Sequence, residues 1–332
     1  MTNPSKYRLG VDVGGTNTDA ILLDITKANK NAVVASFKHV TTPDITTGIE
    51  KAVQHVLENA RVSAGSEGIL SLTIGTTHFV NAVVQLDSRC LEKVAVVRLA
   101  APYTTECPPF IDFPEGLKSI MNGHTTVIDG GLQIDGRVIN ELREEQVVEQ
   151  ARVIHEKGLK NVVVVGVYSP LDVEGKQEYQ AREILRRELG DRVNVVCSRD
   201  VGHVGFLERE NASILNASIM SFAQRTILSY KRAMKRLGLR CPLYLTQNDG
   251  TLITAEEAAL LPIKTFSSGA TNSMRGASFL GGLDIRSAKT EERSSIIVVD
   301  IGGTTTDVGV LLPSGFPRQA AAFVEVAGVR TK

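Results

Sequence analysis

The hydrophobic and polar positions of this chain fall into blocks that predict alternating strands and helices. An apolar run from Leu9 reaches Asp12, breaks into the polar stretch Gly14 to Asp19, and resumes as a second apolar run to Leu23. That order predicts a strand, a tight turn and a second strand. Ala32 to Val40 predicts a third strand. Pro43 and Asp44 open a predicted helix whose Ile49, Ala52, Val53, Val56, Leu57 and Ala60 share one face. Ile69 to Ile74 reads as a short buried strand. It ends in Gly75, Thr76, Thr77 and His78, ahead of a helical segment containing Asn81 and Ala82. A strand, a polar break and a helix in that order form a ligand-facing loop in an α/β sheet. His78 there reads either as a partly buried histidine satisfied by backbone or as a site residue.

Val94 to Leu99 predicts another strand, after which the pattern lapses. Pro102, Pro108, Pro109 and Pro114 fall among scattered apolar residues, so 101–124 is expected to be a loop that is either functional or an insertion of irregular structure. Val127 to Ile139 carries Asp-Gly turns between short strands. Glu141 to Lys157 predicts a helix capped by Asn140, Asn161 to Tyr168 a Val-rich buried strand, 173–189 a charged surface helix, and Val193 to Cys197 a strand. This alternation implies a largely parallel, covered sheet. From Phe206 a long helix runs to about Leu237, where Glu208 and Arg209 fit either a solvated face or a site role. Leu243 to Thr246 is a strand, and Thr254 with Glu257 forms a capping box before Ala258. Ser267 to Ala277 then reads as a small-residue loop leading into a helix, where free N–H groups would face an anion. The domain boundary is expected near Gly202 to Gly205, giving an N-terminal domain over 1–203 and a second over 204–332.

Composition narrows the class. The 332 residues, 42% of them hydrophobic, suffice for two domains with buried cores. Acidic and basic residues balance at 37 each, so there is neither a basic field for nucleic acid nor an acidic tail. Cysteines 90, 107, 197 and 241 lack metal-type spacing and read as reduced thiols. No signal peptide precedes the first strand, and no apolar run approaches a membrane span, so a soluble cytoplasmic protein is expected. Trp is absent and aromatics make up 5%, which argues against stacking surfaces for sugars or single strands.

The chemistry sits in the first turn. Gly14 and Gly15 let the main chain approach a ligand without a Cβ clash, and N–H groups gathered there form a nest for phosphate. Asp12 and Asp19 repel phosphate, so a bridging Mg²⁺ is implied. The pattern recurs: Val299 to Asp307 repeats Val-Asp-x-Gly-Gly-Thr-x-Thr-Asp, with Asp300 lying 288 positions after Asp12. Two such hairpins, one opening each half of the chain, suggest two related halves clamping one polyphosphate.

These residues resemble the hydantoinase A/oxoprolinase family of the actin-like ATPase superfamily. The two hairpins, Gly75 to Thr77 with Asn81 and Ala82, Glu208 and Arg209 leading to Leu215, Asn216 and Ala217, and the Ser268-Gly269 loop carry the likeness. The resemblance implies an α/β, actin-like (ribonuclease-H-like) fold of two related halves. It also implies ATP and Mg²⁺ as cofactors. By it, Gly14, Gly15, Thr16, Asn17 and Thr18, with Gly302, Gly303, Thr304, Thr305 and Thr306, would hold the ATP phosphates. Asp12 and Asp300 would serve at the metal and in catalysis, with Thr76 a third catalytic candidate and His78 beside it on the substrate side. Members use ATP to open cyclic amides such as oxoproline or hydantoins. The expected substrate is therefore a small cyclic amide, with no nucleic-acid or membrane partner. A small-molecule kinase or a non-catalytic relic are the alternatives. The family's Ser-Gly-Pro-Ala-Gly-Gly loop stands here as Ser268 to Ser273, with bulkier or more flexible residues in place of proline and two glycines.

The second half is expected to be incomplete. After the second hairpin only a strand near Ala322 to Val326 is foreseen, and no glycine-rich adenosine-binding segment follows. A chain truncated in this way would bind ATP poorly, leave an open sheet edge near 295–326, and need a second subunit or its missing C-terminal part.

Overall fold

The computed structural model describes residues 6–14, 17–27, 29–40, 45–281, 295–301, 306–319 and 323–331. They form two compact units, one drawn from 1–80 and 223–319 and the other from 81–222 and 320–332. The chain begins with β1 (Tyr7–Val13), β2 (Asn17–Asp24), β3 (Val33–Val40), α1 (Ile45–Ala60) and β4 (Ile69–Thr76). It leaves the first unit within α2 (His78–Val84). The second unit continues through β5 (Val94–Leu99), α3 (Glu115–Met121), β6 (Asn122–Ile128), α4 (Glu144–Glu156), β7 (Asn161–Gly166), α5 (Lys176–Leu189), β8 (Asn194–Cys197) and α6 (Ser198–Val201). The long helix α7 (Phe206–Leu237) passes back into the first unit at Ala223. There follow β9 (Leu243–Thr246), β10 (Leu252–Thr254), α8 (Ala255–Leu260), α9 (Ser268–Leu280), β11 (Ile296–Ile301) and β12 (Thr306–Leu311). The hairpin β13 (Val324–Val326) and β14 (Val329–Thr331) belongs to the second unit.

The first unit is built on a six-stranded mixed sheet in the order β10-β9-β4-β1-β2-β3. Period-two alternation sorts its side chains. Leu9, Val11 and Val13 of β1 pair with Leu22, Ala20 and Thr18 of β2, and all six are buried on one face. Helix α1 packs on β1, β2 and β3 through Ile49, Ala52, Val53, Val56 and Leu57, an apolar stripe at helical spacing. Each of its fully buried Ile, Val and Leu side chains contributes about 1.5–3 kcal/mol. The helix stops at Arg61, held in the left-handed region (φ 54°), while Val62 N–H closes on Leu57 O at 3.0 Å. The opposite face of the sheet is left for the site described below.

The second unit holds a four-stranded, wholly parallel sheet in the order β6-β5-β7-β8. Strands β5 and β7 are buried at every position, as the near-continuous valine runs require when helices cover both faces. Helices α4 and α5 pack together and contribute Val147, Ala151, Ile154, Ala181, Ile184 and Leu185 to the core.

Several expectations are corrected. Residues 101–124 are not irregular throughout, since Glu115–Met121 is helical and β6 already starts at Asn122. The signal was masked because Pro114 does not break a helix when it occupies the N-cap. Asn140 does not cap α4. Arg143 is the cap residue, and the Asn140 amide donates instead to Ala101 O at 2.7 Å. Arg209 lies on no solvated face: it is buried, donating to Ser198 Oγ, His203 O and Gly166 O. Residues 268–277 are not a loop but the first turns of α9. The capping box of Thr254 and Glu257 forms as expected.

Candidate active site

The site grows out of strand register. In the six-stranded sheet Asp12 pairs with Asp19 of β2 and with Gly75 of β4, and Asp19 pairs with Lys38 of β3. Paired residues point to the same face, so Lys38, Asp19, Asp12 and Gly75 form one row across four strands, opposite α1. A second row, Ser36, Ile21, Gly10 and Thr73, runs beside it. The two rows line a cavity of about 480 Å³ that also touches Thr246 and Asn272. Lys38 reaches Asp19 at 3.6 Å, an exposed pair that contributes little stability and partly offsets the negative charge of the row.

Gly75 keeps the row open. A Cβ there would stand 2.7 Å from Asp12 Oδ1 and closer still to the Asn272 amide. The space goes to Asn272 of α9, whose side chain donates to the Asp12 carboxylate. Asp12 is open to solvent through the cavity, yet protein surrounds its carboxyl on most sides. Its pKa is raised, first by burial, then by the negative charges of Asp19 and Asp300, and lowered in part by the Asn272 hydrogen bond.

The second hairpin has the same register. Asp300 pairs with Asp307 and Ile301 with Thr306, as Asp12 pairs with Asp19 and Val13 with Thr18. Helix α9 contacts β4 on one side and β11 and β12 on the other. Gly309 admits Met274 of the helix, because any Cβ at Gly309 would overlap the Met274 thioether. Ser273 donates its hydroxyl to Asp300 Oδ2 at 2.5 Å. The helix is anchored at its start by Ser268 Oγ donating to Thr76 O at 3.1 Å. The two repeated hairpins therefore face one another across α9. Among the described residues the second hairpin forms a two-stranded sheet of its own, extended only by the bridge of Leu311 with Pro317, and Ile297, Val299, Ile301 and Val308 are exposed.

The remaining candidates fall in different places. Gly14 donates its N–H to Asn17 O at 3.0 Å and closes the first turn, and Thr18 is buried under α1. Asn17 opens β2, and Thr306 opens β12 in an exposed position. Gly15, Thr16, Gly302, Gly303, Thr304 and Thr305 lie outside the described residues. Thr76 pairs with Val13, so alternation puts its side chain on the face opposite Asp12 and away from the carboxylates. Its hydroxyl shares a 2.8 Å hydrogen bond with His78 Nδ1. Burial lowers the His78 pKa and holds the ring neutral near pH 7. Residues that sequence reasoning passed over are Lys38, Asn272 and Ser273. The substitution of two glycines by Asn272 and Ser273 was the signal for the latter two.

The acidic groups suit a divalent cation bound together with phosphate. No group of three or more His, Cys, Asp or Glu side chains among the described residues makes a ready-made metal site. Mg²⁺ is commonly held by one or two carboxylates and completed by phosphate oxygens and waters. Burial first, and then repulsion from Asp19 and Asp300, raises the Asp12 pKa, and the repulsive part is the kind a cation relieves.

Residues 8–189 match the family model described as hydantoinase/oxoprolinase N-terminal region, and residues 209–332 match the hydantoinase/oxoprolinase model. A curated relative, an uncharacterized protein of Methanocaldococcus jannaschii, is 22% identical over 320 residues, covering 92% of this chain and 44% of the relative. The nucleotide-free structure of acetone carboxylase superposes with a TM-score of 0.72 at 20% identity, covering 99% of this chain and 47% of that one. The ATP-dependent caprolactamase from Pseudomonas jessenii superposes with a TM-score of 0.69 at 19% identity, covering 98% and 46%. The chain thus spans about half the length of these relatives. The fold is the α/β, actin-like ATPase fold. No helix among the described residues is long and apolar enough to cross a membrane.

Proposed function

The chain belongs to the hydantoinase/oxoprolinase family, and from that premise we propose that it supplies the nucleotide-facing part of an enzyme that opens cyclic amides with ATP. The observation that carries this reading is the meeting of two Asp-bearing hairpins, in matching register, across the single helix α9. Asp12 and Asp300 would hold Mg²⁺ together with phosphate oxygens, and the turns that follow them would cradle the phosphates. When bound, Mg-ATP supplies a phosphoryl group that converts a resonance-stabilised amide into a better electrophile.

What this chain contributes is positioning. Asn272 and Ser273 fix the rotamers of the two carboxylates, so that little reorganisation accompanies binding. Lys38 tethers Asp19 and keeps its charge at the row's edge. The neutral His78 and the buried Thr76 hydroxyl form a separate polar pair at the end of β4, away from the carboxylates, and His78 would serve the substrate side rather than the metal. A cytoplasmic location and a need for a further subunit or chain segment complete the proposal. Half-length coverage of its relatives supports the second of these.

The test is mass analysis of products formed from oxoproline, hydantoin and lactam panels with Mg-ATP by the intact assembly. Ring-opened product together with phosphate, both lost in Asp12→Asn and Asp300→Asn, is expected. Phosphorylated substrate would replace the hydrolase reading with a small-molecule kinase. Absence of ATP-dependent turnover on every panel would leave a nucleotide-binding role without catalysis.

A further inference from the structure

The row of charges in the first unit is unbalanced. Among the described residues lining the cavity of about 480 Å³, Asp12 and Asp19 are acidic and Lys38 alone carries a cationic side chain. Ser36, Thr73, Thr246 and Asn272 complete the polar wall without adding charge. With both carboxylates ionised, the row holds a surplus of negative charge. A divalent cation bound at Asp12 reverses that surplus, and an anion must then balance it. Lys38 is the side chain placed to meet that anion.

The placement follows from register. Lys38 pairs with Asp19, and two residues further Val40 pairs with Asn17, the first residue of β2. Lys38 therefore stands at the end of the sheet where the turn between β1 and β2 lies, on the same face as Asp12. Asp12 is two strands away, about 10 Å at the usual strand spacing. A flexible lysine stem brings the ammonium into the space between them. Its charge is felt there already: burial raises the Asp12 pKa, and Lys38 is among the groups that oppose the rise.

The present hold on Lys38 is weak. Its ammonium stops 3.6 Å from Asp19 Oδ1, and the side chain is 65% exposed. A charge-assisted hydrogen bond is shorter, about 2.7–2.9 Å. No other hydrogen bond or ion pair engages Lys38 among the described residues. Such an exposed pair contributes little, so exchanging it for a contact with phosphate costs little. We infer that Lys38 is a phosphate-binding residue of this site, whose ammonium leaves Asp19 for a phosphate oxygen when a metal-bound polyphosphate enters, freeing Asp19 to face the metal. The competing role is that of an edge guard, since β3 ends the sheet and edge strands carry lysine against unwanted pairing.

The inference rests on the nucleotide reading above, and two probes applied to the full chain separate the failure of one from that of the other. Mg-tripolyphosphate, which needs no pocket for base or ribose, is followed by calorimetry, and Mn²⁺ alone by the EPR signal of the free ion. Lys38→Met should bind Mg-tripolyphosphate about tenfold more weakly, having lost a charge-assisted contact. It should bind Mn²⁺ alone about threefold more tightly, because the carboxylates no longer share their charge with an ammonium. Lys38→Arg, which keeps the charge, should restore most of the polyphosphate affinity. Equal polyphosphate affinity in Lys38→Met and the unmodified chain would leave Lys38 an edge guard and overturn the inference. So would a Mn²⁺ affinity that fails to rise, since a loss for one probe without a gain for the other marks a structural role. No Mg-dependent tripolyphosphate binding by the unmodified chain would instead overturn the nucleotide reading itself, and the inference with it.

Discussion

Asn272 and Ser273, neighbours on α9, hold different aspartates: the Asn272 amide donates to Asp12 of β1, and the Ser273 hydroxyl donates to Asp300 of β11. Successive residues on a helix point about 100° apart, which is the spread needed to address strands on either side of it. One helical step thus links the two copies of a repeat that are 288 positions apart in sequence. Ser273→Ala should leave the fold intact, costing roughly 0.5–1.5 kcal/mol for one hydrogen bond, and should weaken Mg-dependent nucleotide binding. Equal nucleotide affinity in Ser273→Ala and the unmodified protein would remove Ser273 from the site.

Gly75→Ala tests the gap in the sheet row. The added methyl meets Asn272 and Asp12, and the end of the Asn272 side chain is the part that yields. The expected cost is about 1 kcal/mol, that of the displaced hydrogen bond. Adding Asn272→Gly should reduce the cost of Gly75→Ala to what the close approach to Asp12 Oδ1 still imposes, a coupling measured by a double-mutant cycle on denaturant midpoints. Additive effects would show that Asn272 is not what occupies the gap.

Asp12→Asn should stabilise the protein while impairing it. The Asp12 pKa is raised in the fold, so its favourable contribution is complete below the unfolded value near 3.8 and is lost as pH rises through the folded value. At pH 7 the ionised carboxylate therefore costs stability, and asparagine relieves that cost. Thermal unfolding should give a higher Tm for Asp12→Asn at pH 7, with the advantage shrinking as pH is lowered toward 4. A lower Tm for the variant at pH 7 would contradict the burial and the carboxylate crowding that raise the Asp12 pKa.

His78 has the opposite dependence. Its pKa is lowered by burial, so the neutral ring is favoured in the fold and its contribution is present above the ordinary value of 6.5. That contribution is lost as pH falls below 6.5 toward the folded value, because the unfolded chain binds the proton more readily. Tm should fall between pH 7.5 and 5.5, and the fall should be shallower in His78→Gln. Identical slopes for the two proteins would assign the acid sensitivity to other groups.

Arg98→Met should be the most damaging single change in the second unit. It leaves Glu210 buried without its bidentate partner and releases the carbonyls of Thr104 and Cys107. Loss of one member of such a pair costs about 3–5 kcal/mol, whereas replacing both by apolar residues is often close to neutral. Arg98→Met with Glu210→Leu should therefore recover much of the stability lost in Arg98→Met alone, as read by urea denaturation. If the double variant is no more stable than the single one, the carbonyl contacts outweigh the ion pair.

Local rules carried the sequence reading a long way. Alternation and turn chemistry placed both hairpins, the span of α7, the parallel valine strands and the Thr254–Glu257 capping box, because each depends on residues a few positions apart. The family was legible in the repeated pattern of Asp, Gly and Thr residues taken together with Gly75 to Thr77 and Asn81-Ala82. Tertiary structure decided the rest. That 268–280 is a helix between the hairpins could not be read from a run of small residues, since its Asn272 and Met274 are seated by Gly75 and Gly309, glycines on two distant strands. The pairing of Arg98 with Glu210, 112 positions apart, likewise comes from chain approach, and it holds Thr104 in a backbone conformation its sequence does not favour. Sequence fixes which faces must be buried and where the chain must turn. Which side chains then meet across the packed elements depends on distances between segments, and those exist only once the fold has formed.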